Sequence, residues 1–206
     1  VLASFGYHPW YIRERTDRWA EHLERFLDEV PSAVGEVGLD KWIKNHDLED
    51  QERVLSTQLQ LASRRNLPVS IHCLRAWGRL LDLLRAGPRP ACGFLLHSFG
   101  GPREMVAALV KLGAYFGFPG YFLPERKARQ RETFRAIPME RVLLETDAPD
   151  QLLPEAAPGA DGRPAGVRHY GLRDPASGKP INHPANLAAV YSGFAACLGR
   201  PVEEVA

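Results

Sequence analysis

The stretch AVGEVGLDKW, Ala33 to Trp42, decides how this chain folds. Its apolar run reads as a strand buried on both faces, with Glu36 set between two glycines and Asp40 just past the end. A buried carboxylate is expensive unless it is paired or holds a metal. The strand therefore poses a question about Glu36 that the rest of the chain must answer.

Similar runs recur outward from it. VLASF, PVSIH, GFLLHSF, AYFGF and RVLLETD also read as buried strands, six in all with AVGEVGL. Between them lie segments of helical spacing: Trp19, Leu23, Phe26 and Val30; Leu55, Leu59 and Ala62; Met105, Leu109 and Leu112. Leu187, Val190, Tyr191 and Phe194 form a last apolar face. Strands alternating with helices predict parallel strands and an α/β fold, with chemistry gathered at the C-terminal strand ends. The Pro- and Gly-rich segment from Pro154 to Pro184 reads as one long loop. Six strands fit an open sheet or a TIM (β/α)8 barrel lacking its first two β/α units. The start at Val1, already inside a strand, favours the barrel with an N-terminal part missing.

A chain of 206 residues, 45% of them hydrophobic, is predicted to form a single domain over 1–206. The formal net charge of +1 excludes a global basic field, so any polyanion site is local. No apolar run approaches membrane length, and no membrane partner is expected. Cys73, Cys92 and Cys197 are scattered and lack C-x-x-C spacing, as in reduced cysteines of a cytoplasmic protein.

The strand ends carry the chemistry. SFGYHP places His8, GEVGLD places Glu36 and Asp40, SIHC places His72, LLHSF places His97, and LLETDAP places Glu145 and Asp147. Any one of these has an ordinary alternative, such as a satisfied polar residue or a helix cap. Glu36, His72, His97 and Asp147 together, each from a separate strand, predict a shared site for zinc, manganese or magnesium. His8 and Glu145 divide between substrate contact and support of the ligands. Asp40 is either a further site residue or a cap for the following segment.

YFLPERKARQRETFR brings Arg126, Lys127, Arg129, Arg131 and Arg135 close together. They form either a solvated helix face paired with Glu125 and Glu132, or a phosphate-binding rim. Trp42, Trp77, Tyr121 and Phe122 are either packing residues or stacking surfaces for bases. His22 and His46 carry no assigned role, while His169 and His183 fall in or beside the long loop.

The ordered set GYHPW, GEVGLD, SIHC, HSFGG, GFPG and LLETDAP, followed by NHPANLAAVY, resembles the TatD family of metal-dependent deoxyribonucleases, which are amidohydrolase-like TIM barrels. The resemblance runs from about Phe5 to the C-terminus. It implies two divalent metal ions (Zn, Mg or Mn), with Glu36 bridging them, His72 and His97 on the second, and Asp147 on the first. Glu36 and Asp147 become the catalytic pair, Asp147 orienting or deprotonating the attacking water. The resemblance places His8 near the substrate, while Glu145, Arg126 and Lys127 are assigned to substrate contact from their positions alone.

Three departures accompany the resemblance. The family's H-x-H pair, which holds the first metal, has no counterpart here. The Arg expected two positions after His72 is Leu74, and the substrate contact shifts to Arg75. The loop before NHPANL is unusually long. The resemblance implies a hydrolase acting on ester bonds, a deoxyribonuclease whose partner is single-stranded DNA. Hydrolysis of a small amide, lactone or phosphoester on the same centre stands beside it, as does a non-catalytic truncated form.

Overall fold

The computed structural model describes residues 2–154 and 171–205. Each of the six expected strands is present: β1 (Ala3–Phe5), β2 (Ser32–Asp40), β3 (Val69–Leu74), β4 (Phe94–Leu96), β5 (Ala114–Pro119) and β6 (Val142–Glu145). The backbone falls into two compact units, Val1–Phe116 and Gly117–Ala206.

In the first unit, β1 to β4 and the start of β5 pair in chain order, every pair parallel. The crossovers are α1 (Trp19–Glu29), α2 (Leu48–Arg65), α3 (Trp77–Ala86) and α4 (Val106–Lys111). Parallel neighbours need such crossovers, which is why apolar runs alternate with helical spacing. Val34, Val37, Leu39, Ile71, Leu96 and Phe116 from the strands and Leu55, Leu59, Leu80 and Leu84 from the helices are buried. α2 starts at Asp47, whose side chain accepts from the Asp50 amide, and ends at Asn66 in the left-handed conformation.

Two expectations are corrected. β1 and β6 are partly exposed, not buried on both faces; Leu143 of β6 is 45% exposed. On α1 the buried stripe is Leu23 and Leu27, whereas Phe26 and Val30 are exposed. Phe26 instead stacks on Phe5, with ring centres 5.4 Å apart.

The second unit holds β6, α5 (Ala128–Phe134) and α6 (Leu187–Leu198) around Phe118, Phe122, Phe134 and Phe194. Phe118 lies 4.9 Å from Phe134 and 4.6 Å from Phe194 between ring centres. The long-loop segment contains a short antiparallel hairpin, β7 (Leu172–Arg173) with β8 (Pro180–Ile181).

Candidate metal centre

Glu36 is aimed by an irregularity in β2. Val34 pairs with Val69 but Val37 pairs with Ile71, so β2 carries one extra residue across Gly35 and Glu36. A bulge of this kind turns a side chain out of the regular alternation. Two residues on, Gly38 faces His72, and a Cβ there would lie 1.9 Å from the His72 carbonyl oxygen. Only glycine lets β2 approach β3 this closely.

The approach brings His8, Glu36 and His72 together, with ligand atoms within 4.8 Å of one another. Glu36 Oε1 lies 3.2 Å from His72 Nδ1 and 3.7 Å from His8 Nε2. That oxygen has almost no solvent exposure and accepts no hydrogen bond.

The far sides of the two imidazoles decide what each can offer. Asp40 is fully buried at the end of β2. Its Oδ2 accepts the Trp10 indole N–H at 2.6 Å and stands 3.0 Å from His72 Nε2. Its Oδ1 accepts the amides of Trp42 at 2.6 Å and Ile43 at 3.2 Å. Burial works against this carboxylate, yet Trp10, His72 and Trp42 lower its pKa. An ionised carboxylate only accepts, so His72 carries its proton on Nε2 and turns the Nδ1 lone pair toward Glu36. His8 is the reverse case: its Nδ1 accepts the Trp10 amide at 3.2 Å, which leaves the proton on Nε2, facing Glu36. In this state His72 offers a lone pair and His8 a hydrogen-bond donor.

The residues fit a divalent cation. A buried carboxylate oxygen without a hydrogen bond beside a free imidazole lone pair is the donor chemistry of zinc or manganese. His97 also lies in the first unit, its amide bonded to the Ile71 carbonyl at 3.0 Å. Asp40 thus serves both as cap of the following turn and as partner of His72.

Two glutamines of α2, unmarked in the sequence reading, hold this frame. Gln51 accepts the Asp40 amide at 2.7 Å and donates to the Asp40 carbonyl at 2.9 Å. Gln58 does the same for Tyr7, beside His8, at 2.7 and 3.2 Å. They lie seven residues apart on the face that carries Leu55 and Leu59, and that spacing was their signal.

Glu145 and Asp147 belong to the second unit. Gly117 makes room for Glu145, since a Cβ there would stand 2.5 Å from its Oε2. Asp147 adopts a left-handed conformation, φ 56°, and its carbonyl accepts the Asp150 amide at 2.8 Å. The loop around it is tied by buried Asn182, which donates from Nδ2 to Thr146 O at 2.8 Å and from its amide to Pro149 O at 2.7 Å. Asn186 in turn donates to Asn182 Oδ1 at 2.8 Å. The two asparagines of NHPAN thus brace the segment that carries Asp147.

The basic cluster divides. Arg131 donates to the Leu123 carbonyl at 2.8 Å and pairs with Glu125, while Arg135 pairs with Glu132 and donates to the Cys197 carbonyl at 2.8 Å. Arg126 and Lys127 instead gather over Tyr121, at 5.2 and 4.3 Å from its ring centre. Burial disfavours ionising the Tyr121 phenol, but Lys127 and Arg126 outweigh it and lower its pKa. Among the aromatics, Phe122 is buried and Trp77, part-buried, packs edge-on to Phe99, so both serve packing; Trp42 is 64% exposed beneath Arg75. His46 is exposed, His183 caps the turn before α6 by accepting the Ala185 amide, and His169 lies outside the described residues.

The whole chain, residues 1–206, matches the family of TatD related DNases. The chain belongs to that family. As a member, it is a TatD-family hydrolase of the class acting on ester bonds. YjjV of Escherichia coli K12, an uncharacterized metal-dependent hydrolase, is 30% identical over all of this chain and 72% of its own length. Its crystal structure superimposes with a TM-score of 0.80, covering 99% of this chain and 71% of YjjV. A 3'-5' ssDNA/RNA exonuclease TatD from Pantoea vagans is 34% identical over 99% of this chain and 73% of its own length. A TatD family hydrolase from Entamoeba histolytica, 23% identical, shares the fold with a TM-score of 0.79 over 99% of this chain and 70% of that one. This chain spans between 57% and 73% of the length of such TatD relatives. Among the described residues no helix is long and apolar enough to cross a membrane.

Proposed function

We propose that this chain is one metal-dependent hydrolase domain of TIM-barrel type that cleaves phosphodiester bonds of single-stranded DNA. The observation that carries the reading is Glu36 Oε1, buried without a hydrogen bond beside the lone pair of His72. Glu36 and His72 hold the cation, with His97 and Asp147 added as ligands on the strength of the family resemblance, which also implies two ions. A divalent cation supplies a Lewis acid that acidifies water and offsets charge on phosphoryl oxygens.

The chain's own groups do the rest. Asp40 keeps the His72 proton away from the centre. His8 turns its N–H into the same space, where it donates to a phosphoryl oxygen of the substrate. Asp147 orients or deprotonates the attacking water. Arg75, Arg126, Lys127 and Glu145 are assigned to substrate contact. Support for the nucleic-acid substrate comes from the relatives named as ssDNA/RNA exonucleases.

The test is hydrolysis of a single-stranded oligonucleotide with Mg²⁺, Mn²⁺ or Zn²⁺, alongside calorimetric titration of the metal. Glu36→Gln and Asp147→Ala are expected to abolish cleavage, and Glu36→Gln to weaken metal binding. Full activity in either folded variant overturns the assignment of that residue.

A further inference from the structure

We propose that Trp42 and Arg75 form a nucleobase-stacking subsite for single-stranded nucleic acid, next to the Glu36–His72 centre. The proposal rests on the phosphodiesterase reading and names the part of the substrate held at this end of the first unit. β2 and β3 last pair at Asp40 and Leu74, and the Lys41 amide closes the ladder on the Leu74 carbonyl at 2.9 Å. Trp42 and Arg75 are the residues that emerge just beyond. The Arg75 guanidinium carbon stands 4.1 Å from the centre of a Trp42 ring. The indole is 64% exposed, so its other face is open to solvent.

Three features separate this pair from ordinary packing. An indole used for packing is at least part-buried against another ring, as Trp77 is against Phe99 at 4.9 Å. Trp42 instead holds a large apolar face in water, at a cost that burial would relieve. Arg75 meets no carboxylate and makes no hydrogen bond among the described residues, so its charge is available to a phosphate. The platform is also rigid where it matters. The Trp42 amide donates to Asp40 Oδ1, and the other oxygen of Asp40 holds His72, so platform and centre share one anchor. Arg75 is set by a left-handed backbone, φ 56°. A flat aromatic surface backed by an unpaired cation is complementary to a base and its adjoining phosphate.

The experiment is fluorescence anisotropy of a labelled single-stranded oligothymidylate, with chelator present so that binding is read without cleavage. An abasic strand of equal length is titrated in parallel. Trp42→Ala is expected to weaken oligothymidylate binding about 5- to 150-fold, the range for loss of one stacked base, and to leave the abasic strand unaffected. Trp42→Phe, which keeps a smaller ring, is expected to recover part of the loss; Arg75→Ala is expected to weaken both strands.

Equal affinity of wild type and folded Trp42→Ala for oligothymidylate overturns the subsite, as does an equal loss on both strands. Absence of binding by the wild type overturns it too. Hydrolysis of bis(p-nitrophenyl) phosphate by the wild type with Mn²⁺ separates the two readings. Turnover without base-dependent binding sinks the stacking site alone, and no turnover and no binding sinks the phosphodiesterase reading with it.

Discussion

Replacing Asp40 by Asn tests the protonation pattern of the centre with almost no change in volume. Asp40 is fully buried and takes four donors: Trp10 Nε1 and His72 Nε2 on Oδ2, and the Trp42 and Ile43 amides on Oδ1. The backbone amides cannot turn away, so the Asn oxygen must remain on them and its NH₂ must take the place of Oδ2. That group then faces two donors. His72 can relieve the conflict by moving its proton to Nδ1, 3.2 Å from Glu36 Oε1, where it blocks the lone pair a cation needs. Loss of such an outer partner typically costs about 10- to 100-fold in metal affinity, or about 1.4–2.8 kcal/mol. Stability should fall as well, by about 1.5–3 kcal/mol for a charge-assisted bond. Titration calorimetry with Mn²⁺ or Zn²⁺ gives the affinity, and imidazole ¹⁵N shifts give the tautomer. A folded Asp40→Asn variant that binds metal as tightly as wild type, its His72 proton still on Nε2, refutes the reasoning.

Asp50 grips Arg15 through both oxygens at 2.7 Å and Arg53 at 3.0 Å, and Arg15 first of all lowers its pKa. A depressed carboxylate contributes stability above its unfolded pKa of about 3.9 and loses it as pH falls through the lower folded value. Asp50→Asn should therefore cost about 2 kcal/mol at neutral pH and flatten the acid limb of a urea-denaturation series; an unchanged limb counts against the pair. Phe118→Ala should destabilise the chain by about 3–5 kcal/mol in thermal or urea unfolding, because three phenylalanines pack on that ring. In the folded protein Cys92, exposed, should react with Ellman's reagent while Cys73, its pKa pushed up to about 12 by burial, stays silent; rapid modification of Cys73 is the contrary result.

The strands were legible because parallel pairing demands continuous apolar runs, and α2 because Leu55, Leu59 and Ala62 keep the helical period. The face of α1 was misread at Phe26 and Val30: an apolar residue at the right spacing is buried only where a neighbour covers it. Gln51 and Gln58 were passed over because a polar residue on an apolar face reads as noise until its backbone partner is known. The β7–β8 hairpin had a readable turn, DPASGK, with Asp174 accepting the Ser177 amide at 3.0 Å, yet its two-residue strands carry no periodicity. The motifs pointed to Glu36, His72, His97 and Asp147 as ligands and to His8 as a substrate contact; among the described residues, the candidate ligand group is His8, Glu36 and His72. What pattern could not show was the role of Asp40, since a carboxylate after a strand serves equally as a cap.

The two histidines beside Glu36 show why pattern stops short of chemistry. His8 follows β1 and His72 lies within β3, and both face the same carboxylate oxygen, within 3.7 and 3.2 Å. Their difference lies entirely on the far side of each ring, where one nitrogen meets a carboxylate and the other a backbone N–H. Asp40 makes His72 a lone-pair donor, and the Trp10 amide makes His8 a proton donor. Trp10 contributes to both assignments at once, its amide to His8 and its indole to Asp40. The pair is therefore set by the GYHPW and GEVGLD segments acting together. Exchanging the two imidazoles between their sites would reverse neither role, because each role belongs to the partner behind the ring.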